Sequence, residues 1–194
     1  MSVPHPSNRL GRVDFANRAI NYPALCALGV AAIVASSKVQ IPFWPVPLTL
    51  QTLVIAVLAV TYGFRLGSVT LATYLALGAA GLPVFAGTPE RGIGLAYMAG
   101  PTGGYLLGFL LGGALMGWLA DRGWGRSLPR TVATVTVGHF VILALGTLWL
   151  APLIGVHEAV ASGMVPFLWP SIVKILLAAF VVVGSTRLLQ YLRG

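Results

Sequence analysis

Of 194 residues, 57% are hydrophobic and only 8% charged, against roughly 25% charged in an ordinary soluble domain. A chain so short of polar side chains cannot cover a globule in water, and lipid is the solvent that suits it. The net charge of +8 raises nucleic acid as a partner. However, the basic residues stand singly between apolar runs, with no basic stripe and no aromatic interleaving, which excludes that class.

Residues 1–22 carry Arg9, Arg12 and Arg18 among polar neighbours. They lack the apolar core and cleavage site of a signal peptide and read as a short cytoplasmic arm. The remainder, 23–194, reads as one transmembrane domain. A helix crosses the hydrocarbon core with about 20 apolar residues, and six such runs follow. They cover Pro23 to Val39, Val46 to Tyr62, Leu66 to Leu82, Thr102 to Ala120, Thr131 to Leu153 and Phe167 to Leu189. Each is predicted to be helical, because lipid offers backbone polar groups no partner. The predicted fold is therefore all-α, a bundle of six transmembrane helices in a multi-pass protein of the cytoplasmic membrane.

An even number of crossings puts both ends on one side, and basic residues select which. With both ends and the second and fourth connections in the cytoplasm, that side holds Arg9, Arg12, Arg18, Arg65, Arg122, Arg126, Arg130, Arg187 and Arg193. The other side keeps Lys38, Arg91 and Lys174. The termini are thus expected inside. Charges within or beside the spans on the outer side, Lys174 above all, become functional candidates. Snorkelling from a helix end also accounts for Lys38.

In the first span Ala27, Ala31 and Ala35 form a strip of small residues on which another helix could pack closely, within the bundle or from a partner. Gly104, Gly108 and Gly112 make a similar strip in the fourth span, as do Gly113 and Gly117, and internal packing is the expectation there. The first outer connection, 41–47, contains three prolines, which makes it stiff and extended. Pro47 suits a helix start, placing Gln51 about one turn into the membrane, where its amide needs partners. The connection from Leu82 to Thr102 mixes apolar residues with turn formers, Glu90 and Arg91. It is expected to fold back over the bundle as a lid, with Thr102 capping the fourth helix.

Several classes drop out. Both lysines are followed by Val39 and Ile175, so no Walker A loop is present. His5, His139 and His157 show no metal-ligand spacing, and Cys26 has no partner cysteine. His139 reads as a packed polar residue of the fifth span. Ser68 and Ser185 follow glycines, but nothing in the sequence places a base beside them, so an enzyme is not expected.

Three segments carry a resemblance: Ile41-Pro42 through Pro45-Val46-Pro47-Leu48-Thr49-Leu50-Gln51-Thr52, then Gly81-Leu82-Pro83-Val84-Phe85-Ala86-Gly87, and Gly100-Pro101-Thr102-Gly103-Gly104-Tyr105-Leu106-Leu107-Gly108-Phe109. In these the chain resembles the BioY family, the biotin-specific substrate-binding subunits of energy-coupling-factor transporters, over nearly its whole length from about Pro23. The resemblance implies biotin capture from outside in a pocket between helices. It also implies assembly with a transmembrane coupling subunit and two ATPase subunits, with no cofactor. It makes Ala27, Ala31 and Ala35 the expected docking face for the coupling subunit.

Biotin's bicycle, ureido group and anionic tail call for apolar walls, hydrogen-bonding partners and a cation. Trp44, Phe85, Tyr97 and Trp169 are expected as walls and Gln51, Thr88 and Ser171 as ureido partners. Arg91 and Lys174 are the expected cations, with Arg91 first for the carboxylate. The family commonly has an acidic residue three positions before the lysine, where this chain has Ser171. That departure leaves open a related vitamin as ligand, and the sequence equally admits a solitary biotin transporter.

Overall fold

The computed structural model describes residues 21–86 and 92–192. The N-terminal arm up to residue 20, together with Thr88, Glu90, Arg91 and Arg193, lies outside these. The chain is largely helical. Helix α1, Asn21–Lys38, ends on a lysine whose charge complements the carbonyl end of the helix.

The second span begins later than expected. Residues 46–50 are not helical; instead β1 (Gln40–Ile41) pairs antiparallel with β2 (Leu48–Thr49), Gln40 opposite Thr49 and Ile41 opposite Leu48. Pro42, Pro45 and Pro47 have no N–H to donate to a helix, and the short hairpin pairs the backbone of the residues that flank them. Helix α2 then runs Gln51–Ala79, so Gln51 opens the helix rather than lying a turn inside it.

Helix α2 is continuous in sequence but reverses at Gly63, whose φ of 74° and ψ of −175° are not helical. In a straight helix residues 51 and 74 would be ~34 Å apart, yet Gln51 Nε2 donates to Tyr74 Oη at 2.8 Å. The two arms therefore run antiparallel, and the reversal falls where the hydrophobic pattern separates the second and third runs. The Asp121 carboxylate accepts from the Phe64 N–H at 3.2 Å and closes the turn from outside.

After the short α3 (Leu95–Ala99), helix α4 runs Gly103–Leu119 and continues into a wider π turn, Ala120–Trp124. Helix α5 is Leu128–Ile154, α6 is Val156–Gly163 and α7 is Val165–Tyr191. The hydrophobic pattern does not announce α6, which is too short to be a span and forms part of the connection between α5 and α7. By length and composition four helices are able to cross a membrane: Gln51–Ala79, Gly103–Trp124, Leu128–Ile154 and Val156–Leu188, with Tyr22–Lys38 a shorter apolar helix. Large apolar side chains such as Leu148, Phe140 and Phe180 point outward, as they do in a multi-pass membrane protein.

Helix α4 is the wedge of the bundle. A Cβ on Gly108 would stand 2.8 Å from Ile142 Cα, and one on Gly112 would stand 2.7 Å from the Gly138 carbonyl oxygen. On the other face Gly117 lies against the Gly63 backbone, at 2.8 Å for the same added atom, and Gly113 lies against Leu71. Its two glycine faces thus bring the α4 backbone against α5 and α2 together. Such approach supplies the dispersion contact that drives helix association in lipid. Replacing Gly108 by Ala should part α4 from α5 and destabilise the protein by roughly 1–3 kcal/mol. The readout is a lower melting temperature in detergent. Gly184→Ala, where an added Cβ meets nothing within 4 Å, should leave the melting temperature unchanged.

Candidate functional site

Where the helices part above this glycine contact, they leave a cavity of about 600 Å³ of empty space, part of it open to solvent. Its walls come from the hairpin and the start of α2 (Val46, Pro47, Thr49, Gln51, Thr52), from Ala86 and Tyr97, and from the starts of α4 and α7. The middle of α5 closes it with His139, Ile142 and Leu143. The elements that meet here are the connections read as outer loops, so one end of the bundle carries the site.

Two aromatic groups flank it. On one side Tyr97 stacks on Phe85 at 5.1 Å between centroids, and Phe85 meets Tyr74 edge-on at 5.5 Å. The Phe85 ring lies over Gly78, where any side chain would collide with it. On the other side Phe167 stacks on Tyr105 at 5.8 Å and meets Phe43 edge-on at 6.5 Å. Tyr105 in turn donates its hydroxyl to the Gly163 carbonyl, tying α4 to the end of α6.

The segment over the cavity is held by named bonds. Lys38 Nζ donates to the Pro83 and Phe85 carbonyls at 2.9 and 2.8 Å, and the Ser37 hydroxyl donates to Val84 O at 3.1 Å. Val84, Phe85 and Ala86 are buried as a result. Lys38 thus fastens the loop after α2. Trp149 Nε1 donates to Gly100 O at 3.1 Å and holds the Gly100-Pro101-Thr102 turn against α5. Gly103 and Gly104 also abut Trp149, so these glycines admit the neighbouring helix. Thr102 makes no side-chain cap on α4; its side chain lies at the cavity wall instead.

Of the residues expected at a site, Lys174, Ser171, Gln51 and Tyr97 are brought together. Lys174 Nζ donates to the Thr49 carbonyl at 2.6 Å, and among the described residues the cavity wall holds no carboxylate. Ser171 lies one turn before it on the same face of α7. Gln51 is held by protein partners: its Nε2 donates to Tyr74, and its Oε1 accepts from the Thr49 hydroxyl at 3.2 Å. Phe85 packs behind Tyr97 and does not reach the wall. Trp44 is 66% exposed and borders a separate outer recess with Pro45, Tyr97, Pro101 and Thr102. Trp169 is 76% exposed on the outside of α7, because two residues of helix turn it ~200° from Ser171. Thr88 and Arg91 lie outside the described residues. Ala27, Ala31 and Ala35 are all exposed, so the alanine strip faces away from the bundle.

The wall also contains residues not anticipated: Phe167, Tyr105, Phe109, Thr52, Thr102 and His139. Helical spacing was the available signal. Phe167, Ser171 and Lys174 follow i, i+4, i+7, and Thr102, Tyr105 and Phe109 follow i, i+3, i+7. His139 is 2% exposed; its Nδ1 lies 3.1 Å from Val135 O, while its Nε2 has no partner among the described residues. Replacing Lys38 by Met should free the segment 83–86, seen as several-fold faster amide exchange there while exchange in α4 stays unchanged.

Residues 10–191 match the BioY family. The chain is 34% identical over 179 residues to a probable biotin transporter BioY of Rickettsia prowazekii (strain Madrid E), covering 88% of this chain and 90% of the relative. To the biotin transporter BioY of Thermotoga maritima it is 38% identical over 159 residues, covering 81% and 91%. Among solved structures it is similar to the S-component for biotin from an ECF-type ABC transporter. There the TM-score is 0.74 at 26% identity, over 88% of this chain and 92% of the other.

Proposed function

The chain belongs to the BioY family, a family of transporters rather than enzymes, and on that premise we propose that it captures biotin for uptake as the substrate-binding subunit of an energy-coupling-factor transporter. The observation that carries the reading is the Lys174 ammonium at the cavity wall. It is bonded to a carbonyl, with no carboxylate beside it among the described lining. Burying a cation without a counter-charge is costly, and an anionic ligand supplies that charge. The aromatic rings on either side offer apolar faces to a flat bicycle, while Ser171, Thr52 and Thr102 offer hydroxyls to a ureido group. Arg91 remains the proposed second cation for the carboxylate.

The proposed topology is six crossings with both termini in the cytoplasm, the two arms of α2 counting as separate passes. In support, Arg65, Arg122, Arg126, Arg130 and Arg187 gather at the connections and helix ends remote from the cavity, whereas the cavity end has Lys38 and Lys174. The cavity then opens outward across the cytoplasmic membrane, towards arriving nutrient. The exposed strip of Ala27, Ala31 and Ala35 is the proposed docking face for a transmembrane coupling subunit, which with two ATPases would drive release inward. A flat strip lets a partner helix come close without displacing side chains.

Equilibrium binding of labelled biotin to the detergent-purified chain tests the capture function. Saturable, competable binding is expected, and a folded sample that fails to bind at any physiological concentration would overturn it. Lys174→Ala and Arg91→Ala should each weaken binding by roughly 1.5–3 kcal/mol, the range for a hydrogen bond to a charged group. Ala31→Trp should leave biotin binding intact and depress uptake into vesicles that contain the coupling subunits. Equal uptake by wild type and Ala31→Trp would remove the docking assignment, and uptake without partners would establish a solitary carrier.

A further inference from the structure

His139 is the cavity residue whose hydrogen bonding is left half complete. It sits mid-helix on α5, 2% exposed, on the same face as Ile142 and Leu143, and all three line the cavity. Its Nδ1 lies 3.1 Å from the Val135 carbonyl oxygen. A carbonyl only accepts, so Nδ1 carries the proton, and in the neutral ring Nε2 is then a bare acceptor. That nitrogen is buried and meets no donor among the described residues. A buried acceptor left unmatched weighs against the fold that holds it.

The other strong acceptors of the wall are already in use. The Thr49 carbonyl receives Lys174, and Gln51 Oε1 receives the Thr49 hydroxyl. The hydroxyls of Ser171, Thr52 and Thr102 both donate and accept, so they do not distinguish a ligand N–H from a ligand oxygen. His139 Nε2 does distinguish them: an N–H placed there makes a bond, whereas an oxygen sets two lone pairs face to face.

We propose that His139 Nε2 accepts an N–H of the captured ligand's headgroup and makes the cavity selective for a ring carrying that donor over an isosteric ring without it. The inference rests on the biotin reading above. It assigns one of the two ureido N–H groups to His139 of α5, with Lys174 of α7 in the wall of the same cavity. His139 is thus a specificity-determining residue, and its neutral Nδ1-protonated form is the one that works.

Two measurements test this. The first compares biotin with its two cyclic carbamate analogues, in each of which one ring N–H is replaced by oxygen without change of shape. Wild type should bind one of the two at least about 100-fold more weakly than biotin, because a donor is lost and a repulsion added. His139→Leu should bind biotin about tenfold more weakly and discriminate against that analogue less than about threefold. Biotin binding by wild type with the same discrimination in His139→Leu overturns this inference and leaves the capture function standing. Absence of biotin binding by wild type overturns both.

The second measurement needs no variant and so does not depend on one folding. In ¹⁵N-histidine-labelled protein the His139 Nε2 resonance should lie in the pyridine-type region. It should move upfield when biotin is added, while exposed His157 stays in place. An unmoved His139 resonance at saturating biotin overturns the assignment.

Discussion

Helices in lipid gain nothing from hiding apolar surface from water, so the bundle depends on how closely its backbones approach. In this protein that approach is concentrated on α4. Gly108 and Gly112 set it against Ile142 and Gly138 of α5, and Gly113 and Gly117 set it against Leu71 and Gly63 of α2. The contact is tight enough that a single added carbon on Gly108, Gly112 or Gly117 meets backbone atoms. It fixes where the helices are closed, and by the same geometry where they part. The cavity occupies the parted end, and its wall begins on α4 directly above, at Thr102, Tyr105 and Phe109.

The two ends of the bundle are built with different materials. At the closed end, Gly63 takes a conformation that disfavours a side chain, and Asp121 closes the turn by accepting from the Phe64 N–H. Reversal there needs few residues, so the two antiparallel arms of α2 stay packed side by side. At the open end the connections are longer and are fastened by side chains onto backbone carbonyls: Lys38 and Ser37 onto 83–85, Trp149 onto Gly100, Tyr105 onto Gly163. Bonds of this kind hold a wall in shape while leaving the space behind it free.

That space has an uneven chemistry. A cation on α7 and an acceptor nitrogen on α5 face it, between two aromatic groups, with the remaining polarity supplied by hydroxyls. An apolar enclosure strengthens each of these interactions once water is displaced. Ser171, one turn from Lys174, adds a hydroxyl and no charge, so Lys174 is not neutralised from its own helix.

Hydrophobic run length alone determined that the chain lives in lipid and roughly which residues form its helices, because helix formation satisfies the backbone locally and needs no partner. The break between Tyr62 and Leu66, the glycine strips of α4 and the standing of Lys174 were legible for the same reason: each is a departure from an otherwise apolar background. The starts of elements were less so, as at 46–50, where the proline-rich segment is a short hairpin, and at α6, too short to read as a span. Rotation of the helices about their axes was hard to read from the sequence. Spans that are apolar on nearly every side carry little amphipathic signal, and only helical spacing from Ser171 and Lys174 separates inward Phe167 from outward Trp169. Only tertiary packing brought His139, Tyr105 and Lys174 around one space, since these lie on three helices whose mutual orientation is set by side-chain fit.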